Sequence, residues 1–413
     1  MLAALNKDNL GNAKDNILAG IAAIIVMLNS GYYLAVVNDS YVPLVLLIVF
    51  SVFHLIRARS FSIPTDSNAV FLLIILIGIL FSTVYNLSIQ NLLSGGRVAI
   101  TMLCAYILLI HIDISSFINQ YTKLIRTIIL LSIIIFICSN IGLTSSLPIV
   151  SMGNMNYYNL IIVTQGASST RASGIFWEPG VFASHIIFAT LFDIYFTKKT
   201  ISIRNIVIYI IGIFLAASSA GVLMMLLVFI GYFFRRYNLG TKRTYQFLFF
   251  VLAIIFIIFY ETFFEWLAMM NPEMFSKLVE TSSSTTFTRM NAPIVNLEIF
   301  WESPLFGWGF TDAATQFAVN INNSLAAQTS TSTQILAAIG ISGIAYTLLC
   351  LAPLFSKKKL SYLSFVDKFI IASSIILIIN KEPHIYFAIT WLLLFLINST
   401  FYKMENQENE KEF

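Results

Sequence analysis

Four side chains in this sequence combine charge with an unusual setting: Arg171, Glu178, Arg289 and His384. Arg171 and Glu178 lie in "RASGIFWEPGVFASH", where two opposite charges flank the start of an apolar helix. A guanidinium is a planar, permanently charged fork suited to phosphate or carboxylate. Pro179 fits a first helical position, because its missing N–H is not needed there, so Glu178 is expected to cap that helix. A carboxylate at a helix N-terminus is either a favourable dipole partner or a base. Both readings stay open for Glu178. Arg289 lies in "TSSSTTFTRMNAP", shortly before an amphipathic stretch, and His384 follows Lys381, Glu382 and Pro383. His185, seven positions after Glu178, falls on nearly the same helical face and reads as an interhelical hydrogen-bond partner.

The elements that position these groups are membrane helices. The 413 residues are 58% hydrophobic and 11% charged, with a mean hydropathy of +0.84. A water-soluble domain with that balance lacks the polar surface to cover itself. Runs such as "VFLLIILIGILFSTVYNL" and "FLFFVLAIIFIIFY" suit helices crossing a hydrocarbon layer about 30 Å thick, and they lack strand alternation. The chain reads as an all-α polytopic membrane protein with about twelve transmembrane helices. The spans are expected near 17–37, 41–56, 69–87, 98–113, 125–142, 177–196, 204–217, 220–234, 245–266, 333–355, 366–380 and 384–401. The stretch 204–234 is too long for one span and reads as two, joined by a tight turn at "AASSAGVL". No cleavable leader is expected, so the first span reads as a retained signal-anchor. Cys104, Cys138 and Cys350 all lie in apolar runs and read as small apolar fillers.

The distribution of basic residues supports that register. With both termini cytoplasmic, Arg126 and most other Lys and Arg side chains fall on the inner side. The outer side keeps Arg97, Arg171, Lys277, Arg289 and Lys381. Such a sustained bias follows the positive-inside rule. Arginines in outer loops therefore need a reason, which is phosphate or carboxylate binding, or else contacts with lipid headgroups or neighbouring Glu side chains.

The whole of 1–413 reads as one integral membrane domain with two long outer loops, 143–176 and 267–332, and a solvated cytoplasmic tail, 403–413. The second loop is expected to carry an interfacial helix near 288–301, with Ile294, Leu297, Phe300 and Trp301 on its apolar face. Nucleotide-binding signatures, the D-x-D pattern and the H-E-x-x-H zinc motif are absent from the sequence. Few charges fall near mid-membrane, where an ion-coupled transporter would place ionisable residues or broken helices. Chemistry is expected at the outer face.

"RASGIFWEPGVFASHI", then "TRMNAPIVNLEIFWESPLFGWGF" and "TQILAAIGISGI", resemble the O-antigen polymerase and ligase superfamily of bacterial surface-polysaccharide assembly. The shared elements are R-x-x-G-x-F, P-L-x-G-x-G and the hydropathy plan. The resemblance implies a GT-C-like membrane fold and a glycosyltransferase of the bacterial cytoplasmic membrane. Such an enzyme takes a glycan from an undecaprenyl-pyrophosphate carrier at the outer face and requires no cofactor or metal. It further implies that Arg171 and Arg289 hold the pyrophosphate and glycan. Arg97 and His384, both expected at the outer face, are further substrate-binding candidates. Glu178 is the best-placed carboxylate for a catalytic base. Ligases of the family carry a His-Asn pair where this chain has Thr329 and Ser330. With "FWEPG", this favours a polymerase (Wzy-type) of O-antigen or capsular repeat units. The alternatives are a ligase to the lipopolysaccharide core, a lipid-linked oligosaccharide flippase, and a partner positioning other assembly enzymes. Expected partners are the lipid-linked oligosaccharide, membrane lipids, and a chain-length regulator and flippase of the same pathway, with no nucleic acid.

Overall fold

The computed structural model describes residues 2–58, 66–141, 143, 149–152, 155–160, 162–165, 171–197, 201–237, 244, 251, 266, 269, 284–321, 328–355 and 363–399. Six helices among them are long and apolar enough to cross a membrane: Ser67–Asn86, Ile89–His111, Ile114–Cys138, Pro179–Phe196, Ser219–Arg236 and Thr331–Phe355. Shorter apolar helices cover Asp15–Leu28, Val42–Arg57, Ile203–Ala216 and Ala388–Asn398. The chain is thus a helical, multi-pass membrane protein. The span expected near 245–266 and the tail 403–413 lie outside the described residues.

By its internal contacts the chain divides into two compact units. One comprises Met1–Ile63, Ile100–Gly221 and Tyr386–Leu393; the other comprises Pro64–Ala99, Val222–Ile385 and Leu394–Phe413.

In the first unit, α1 (Leu2–Leu28) packs on α3 (Val42–Ala58) and on α6 (Ile114–Asn140). The apolar run expected as one span over 17–37 is broken. After α1 the chain turns at Gly31, which has φ +99°, before the short α2 (Tyr33–Val37). A side chain at Gly31 would stand 2.9 Å from Val181 Cγ1, so close packing adds to the backbone demand for glycine. α7 (Pro179–Leu191) continues into a π-turn (Phe192–Phe196), and it packs on α6 and α8 (Ile203–Ala216). Every residue of α7 is buried, which explains a sequence hydrophobic all round rather than on one stripe. α8 ends in a left-handed Ala217, and α9 (Ser219–Arg236) starts two residues later, as the length argument required.

The first long loop contains a four-stranded antiparallel sheet, order β1–β2–β3–β4: Ile149–Met152, Met155–Leu160, Ile162–Gln165 and Ala172–Gly174. Its register runs from Ile149↔Tyr158 to Met152↔Met155, and then from Tyr157↔Gln165 to Leu160↔Ile162. β4 joins through Val163↔Gly174 and packs, with β3, on α6.

In the second unit, α4 (Ser67–Asn86) buries Asn68, Leu72, Ile75, Ile79 and Ser82, a stripe at helical spacing. Its opposite face exposes Val70, Leu73, Ile77, Leu80 and Val84, equally apolar, as a lipid-facing surface is. The start of α5 (Ile89–His111) also belongs here. The second long loop forms α10 (Ser284–Glu302) and α11 (Phe310–Asn320), both packed on α12 (Thr331–Ile339). α10 covers the stretch 288–301; it buries Ala292, Asn296 and Ile299 and exposes Ile294, Leu297 and Trp301. α12 is not continuous with α13 (Ile344–Phe355): a 3₁₀ turn, Gly340–Gly343, interrupts this candidate span. α14 (Phe365–Ile379) packs on α13 and begins with a Ser364–Asp367 capping box. A 3₁₀ turn, His384–Tyr386, precedes α15 (Ala388–Asn398).

Candidate functional site

The R-x-x-G-x-F element of the first unit is a hinge from sheet to helix. Gly174 has φ +61°, and a Cβ there would lie 2.9 Å from Ile128 Cγ2 and 3.1 Å from the Phe182 ring, so only glycine fits. The next three residues pair with the turn after α1. Tyr33 N–H donates to Ile175 O at 3.1 Å, Trp177 N–H donates to Gly31 O at 3.1 Å, and Tyr32 bridges Phe176.

Arg171, half-buried just before β4, donates from Nε to the Ala216 carbonyl at 3.4 Å. Ala216 is the last residue of α8, where carbonyls lack helical donors and the dipole favours a cation. The arginine is thereby anchored at a helix C-terminus. Glu178 occupies the N-cap position of α7 with extended backbone, and its carbonyl accepts from Phe182 N–H at 3.1 Å. Its carboxylate makes no capping hydrogen bond, contrary to expectation. Glutamate is not among the preferred caps, which are shorter side chains that fold back on the first turn. Pro179 does sit in the first turn.

His185 is fully buried and structural. Nε2 lies 2.9 Å from Ser30 O and Nδ1 lies 2.7 Å from the Tyr121 hydroxyl, while the ring stacks on Phe176 at 4.0 Å. A carbonyl only accepts, so Nε2 carries the proton and Nδ1 accepts from Tyr121. The neutral tautomer satisfies both nitrogens.

One pairing in this unit is not visible in hydropathy. Arg126, expected at the inner edge of a span, lies in α6 (Ile114–Asn140). Its Nη1 reaches Asp193 Oδ2 at 2.6 Å and the Tyr209 hydroxyl at 3.0 Å, and Tyr209 donates to the same carboxylate oxygen at 2.7 Å. The pair is largely buried, so each charge depends on the other.

In the second unit, the P-L-x-G-x-G element closes the broken span. Gly307 and Gly309 both have positive φ, at +69° and +79°. A Cβ on Gly307 would collide with the Ala338 backbone, and one on Gly309 with the Asn91 amide. Trp308 N–H and Gly309 N–H donate to the Ala337 and Ala338 carbonyls at 3.0 and 2.8 Å, and Ile341 N–H donates to Pro304 O at 2.8 Å. The Asn91 amide holds the loop's other side, donating to Trp308 O at 3.1 Å and accepting from Thr311 N–H at 2.9 Å. Carbonyls freed by the helix break thus find donors inside the protein, as buried backbone requires.

Next to this loop is a buried, uncharged polar cluster at the start of α12. Gln328 Nε2 donates to Asn296 Oδ1 at 2.8 Å and to Ala313 O at 3.2 Å. Asn296 Nδ2 reaches Thr333 Oγ1 at 3.1 Å, Thr333 Oγ1 donates to Ser330 Oγ at 2.8 Å, and Ser330 Oγ donates to Asn380 Oδ1 at 3.1 Å. The same Asn380 oxygen accepts from Ser332 Oγ at 2.6 Å. The Thr331 hydroxyl donates to Glu382 O and accepts the His384 N–H, each at 3.0 Å. Three buried oxygens here, Gln328 Oε1, Thr329 Oγ1 and Gln334 Oε1, have no hydrogen-bond partner among the described residues. Such atoms are uncommon and mark places where water or a polar ligand belongs.

The expected site residues therefore fall into two groups. Arg171 and Glu178 belong to the first unit, and Arg97, Arg289 and His384 to the second. Arg97 is exposed on α5, and Arg289 lies on α10, two turns before Asn296. His384 is fully buried, beside Thr331. Sequence reasoning passed over Asn296, Gln328 and Asn380, because isolated amides carry little signal. The clue was the density of Gln, Ser and Thr in "QTSTSTQ", residues 328–334.

No protein-family model matches the chain, and no curated protein is significantly similar to it.

Proposed function

We propose that this protein polymerises undecaprenyl-pyrophosphate-linked oligosaccharide repeat units into O-antigen or capsular polysaccharide at the outer face of the bacterial cytoplasmic membrane. The observation that carries this reading is the buried amide and hydroxyl cluster at the start of α12, with oxygens on Gln328, Thr329 and Gln334 that have no partner among the described residues. A glycan is a dense array of hydroxyl donors, and uncharged acceptors of this kind suit it. The cluster involves the helix that also carries Arg289.

In the reaction, an acceptor hydroxyl attacks the anomeric carbon of the donor glycan and its proton passes to a base, for which Glu178 is the candidate. The bond between that carbon and the pyrophosphate oxygen breaks, and the lipid pyrophosphate leaves. Arg171 and Arg289 stabilise the charge that develops on it. Arg97 and His384 are further substrate contacts. The residues Thr329 and Ser330, in place of a His-Asn pair, favour polymerase over ligase.

The test is a deletion strain complemented with Arg171→Ala or Arg289→Ala and scored by polysaccharide ladder. Loss of long polymer with accumulation of single lipid-linked units is expected. Full-length polymer from both variants at normal expression would remove the site assignment. Failure of purified protein to extend an undecaprenyl-linked unit would remove the reaction class.

A second reading, transport of the lipid-linked oligosaccharide, is favoured by the span broken at Gly340–Gly343 and by the buried Arg126–Asp193 pair. It predicts that deletion traps single units on the inner leaflet, whereas loss of a polymerase leaves them on the outer one.

A further inference from the structure

A cavity of about 270 Å³ in the first unit lies where α1, α3 and the α5–α6 junction meet, lined by Asp15, His54, Arg57, His111 and Asp113. Nothing in the polymerase reading uses it. His54 is only 4% exposed, and its Nε2 has no hydrogen-bond partner among the described residues. Its ring is clamped edge-on by Phe50 and Phe53, with centroids 4.7 and 5.5 Å away, so the imidazole is held in one orientation. A buried imidazole nitrogen without a partner beside a partly polar cavity marks a place where water or a polar ligand belongs.

The charges narrow its chemistry. Arg57 Nη2 contacts Asp15 Oδ1 at 3.3 Å, a half-exposed ion pair that leaves most of the guanidinium donors available. The two oxygens of Asp113 accept from Ser115 N–H and Ser116 N–H at 3.2 and 3.1 Å, and each keeps capacity for another donor. The cavity thus offers guanidinium and imidazole groups for an anion beside two carboxylates for a cation. A simple phosphate would meet those carboxylates unfavourably. A metal ion is not suited either, because no group of three or more His, Cys, Asp or Glu among the described residues is arranged to hold one.

The surroundings identify how such a ligand arrives. The cavity sits at the ends of apolar helices whose outer faces expose Ile17, Ile21 and Ile24 on α1 and Val49, Phe53 and Ile56 on α3. Acyl chains run along such a surface. We infer that this cavity binds the headgroup of an aminophospholipid, with the phosphate on Arg57, His54 and His111 and the primary ammonium on Asp15 and Asp113.

The test uses the full-length protein in detergent, titrated with dioctanoyl phosphatidylethanolamine, phosphatidylcholine and phosphatidylglycerol, and with soluble phosphoethanolamine, by native mass spectrometry. Phosphatidylcholine keeps the phosphate but has no N–H on its ammonium; phosphatidylglycerol has no ammonium. Phosphatidylethanolamine should bind the wild type about tenfold tighter than either. Arg57→Gln and His54→Leu should each bring it down to the phosphatidylcholine level, and Asp15→Asn should narrow its margin over phosphatidylglycerol. Equal binding of the three lipids to the wild type, a result needing no variant, overturns the proposal. Preference for phosphatidylglycerol overturns the ammonium subsite. Phosphoethanolamine binding as tightly as the lipid overturns the membrane source.

Discussion

Gln328 gives both of its amide hydrogens to the protein, to Asn296 Oδ1 at 2.8 Å and to the Ala313 carbonyl at 3.2 Å, while its own oxygen stays buried without a partner among the described residues. Its neighbour Thr329 has a buried hydroxyl in the same state. A protein with no use for these atoms gains nothing by burying them, since an unmade hydrogen bond costs about 1–3 kcal/mol. Thr329→Val removes that hydroxyl at nearly constant shape. Melting temperature in detergent should therefore hold or rise, while extension of a lipid-linked unit falls about tenfold, or 1.4 kcal/mol of transition-state stabilisation. Undiminished extension would show that the unpartnered hydroxyl has no role with substrate.

The Tyr121–His185–Ser30 chain predicts the opposite pattern. Tyr121→Phe leaves His185 Nδ1 buried with no donor, and His185→Phe leaves the Ser30 carbonyl without its imidazole donor. Each should cost about 1–3 kcal/mol of stability. Activity per folded molecule should be unchanged, because the ring touches only protein. A thermal-unfolding series paired with activity normalised to folded protein checks both halves.

The helices were legible because burial in lipid demands long apolar runs, and α4, α8, α9 and α14 begin and end close to where hydropathy put them. The sheet was not. Ile149, Val150, Tyr157, Tyr158, Ile162 and Val163 are strand formers, and a Gly-Asn pair at 153–154 lies between the first two groups, but the surrounding Ser, Thr and Asn masked that signal. The pairing of Arg126 with Asp193 was not legible either: the two are 67 residues apart, and no local window along the chain reports a contact at that separation. Arg171, Glu178 and Arg289 were legible as anomalies of charge. The amides of Asn296, Gln328 and Asn380 matter only through one another, and no spacing along the chain reports that.

The glycines of the P-L-x-G-x-G loop and of the turn it packs on give a prediction with its own control. Gly307→Ala and Gly340→Ala must take positive φ and drive a methyl group into backbone, at Ala338 and at Leu305 respectively. Both should prevent stable folding, since the left-handed conformation alone costs about 1–2 kcal/mol before any clash. Gly96, inside α5, has nothing near its missing side chain. Gly96→Ala should stabilise by about 0.5–1 kcal/mol, from helix propensity. Similar unfolding temperatures for all three would contradict the described packing of the P-L-x-G-x-G loop.

The buried Arg126–Asp193–Tyr209 network offers a final prediction, decided by magnitude. At 2.6 Å, with side chains 18% and 10% exposed, the two charges have left water almost completely. Removing one partner strands the other, which costs about 3–5 kcal/mol. Arg126→Met or Asp193→Leu alone should therefore unfold the protein in mild detergent or shift its melting temperature strongly downward. Replacing both removes the stranded charge along with the attraction, and apolar side chains of similar size pack well in such a setting. The double variant should accordingly be more stable than either single one, with Tyr209→Phe added to remove the hydroxyl that would then lack its acceptor. If polymer is still made by the stable multiple variant, the pair serves only the fold. If stability returns but polymer does not, the charges themselves take part in function, and the leaflet on which single units accumulate separates transport from polymerisation.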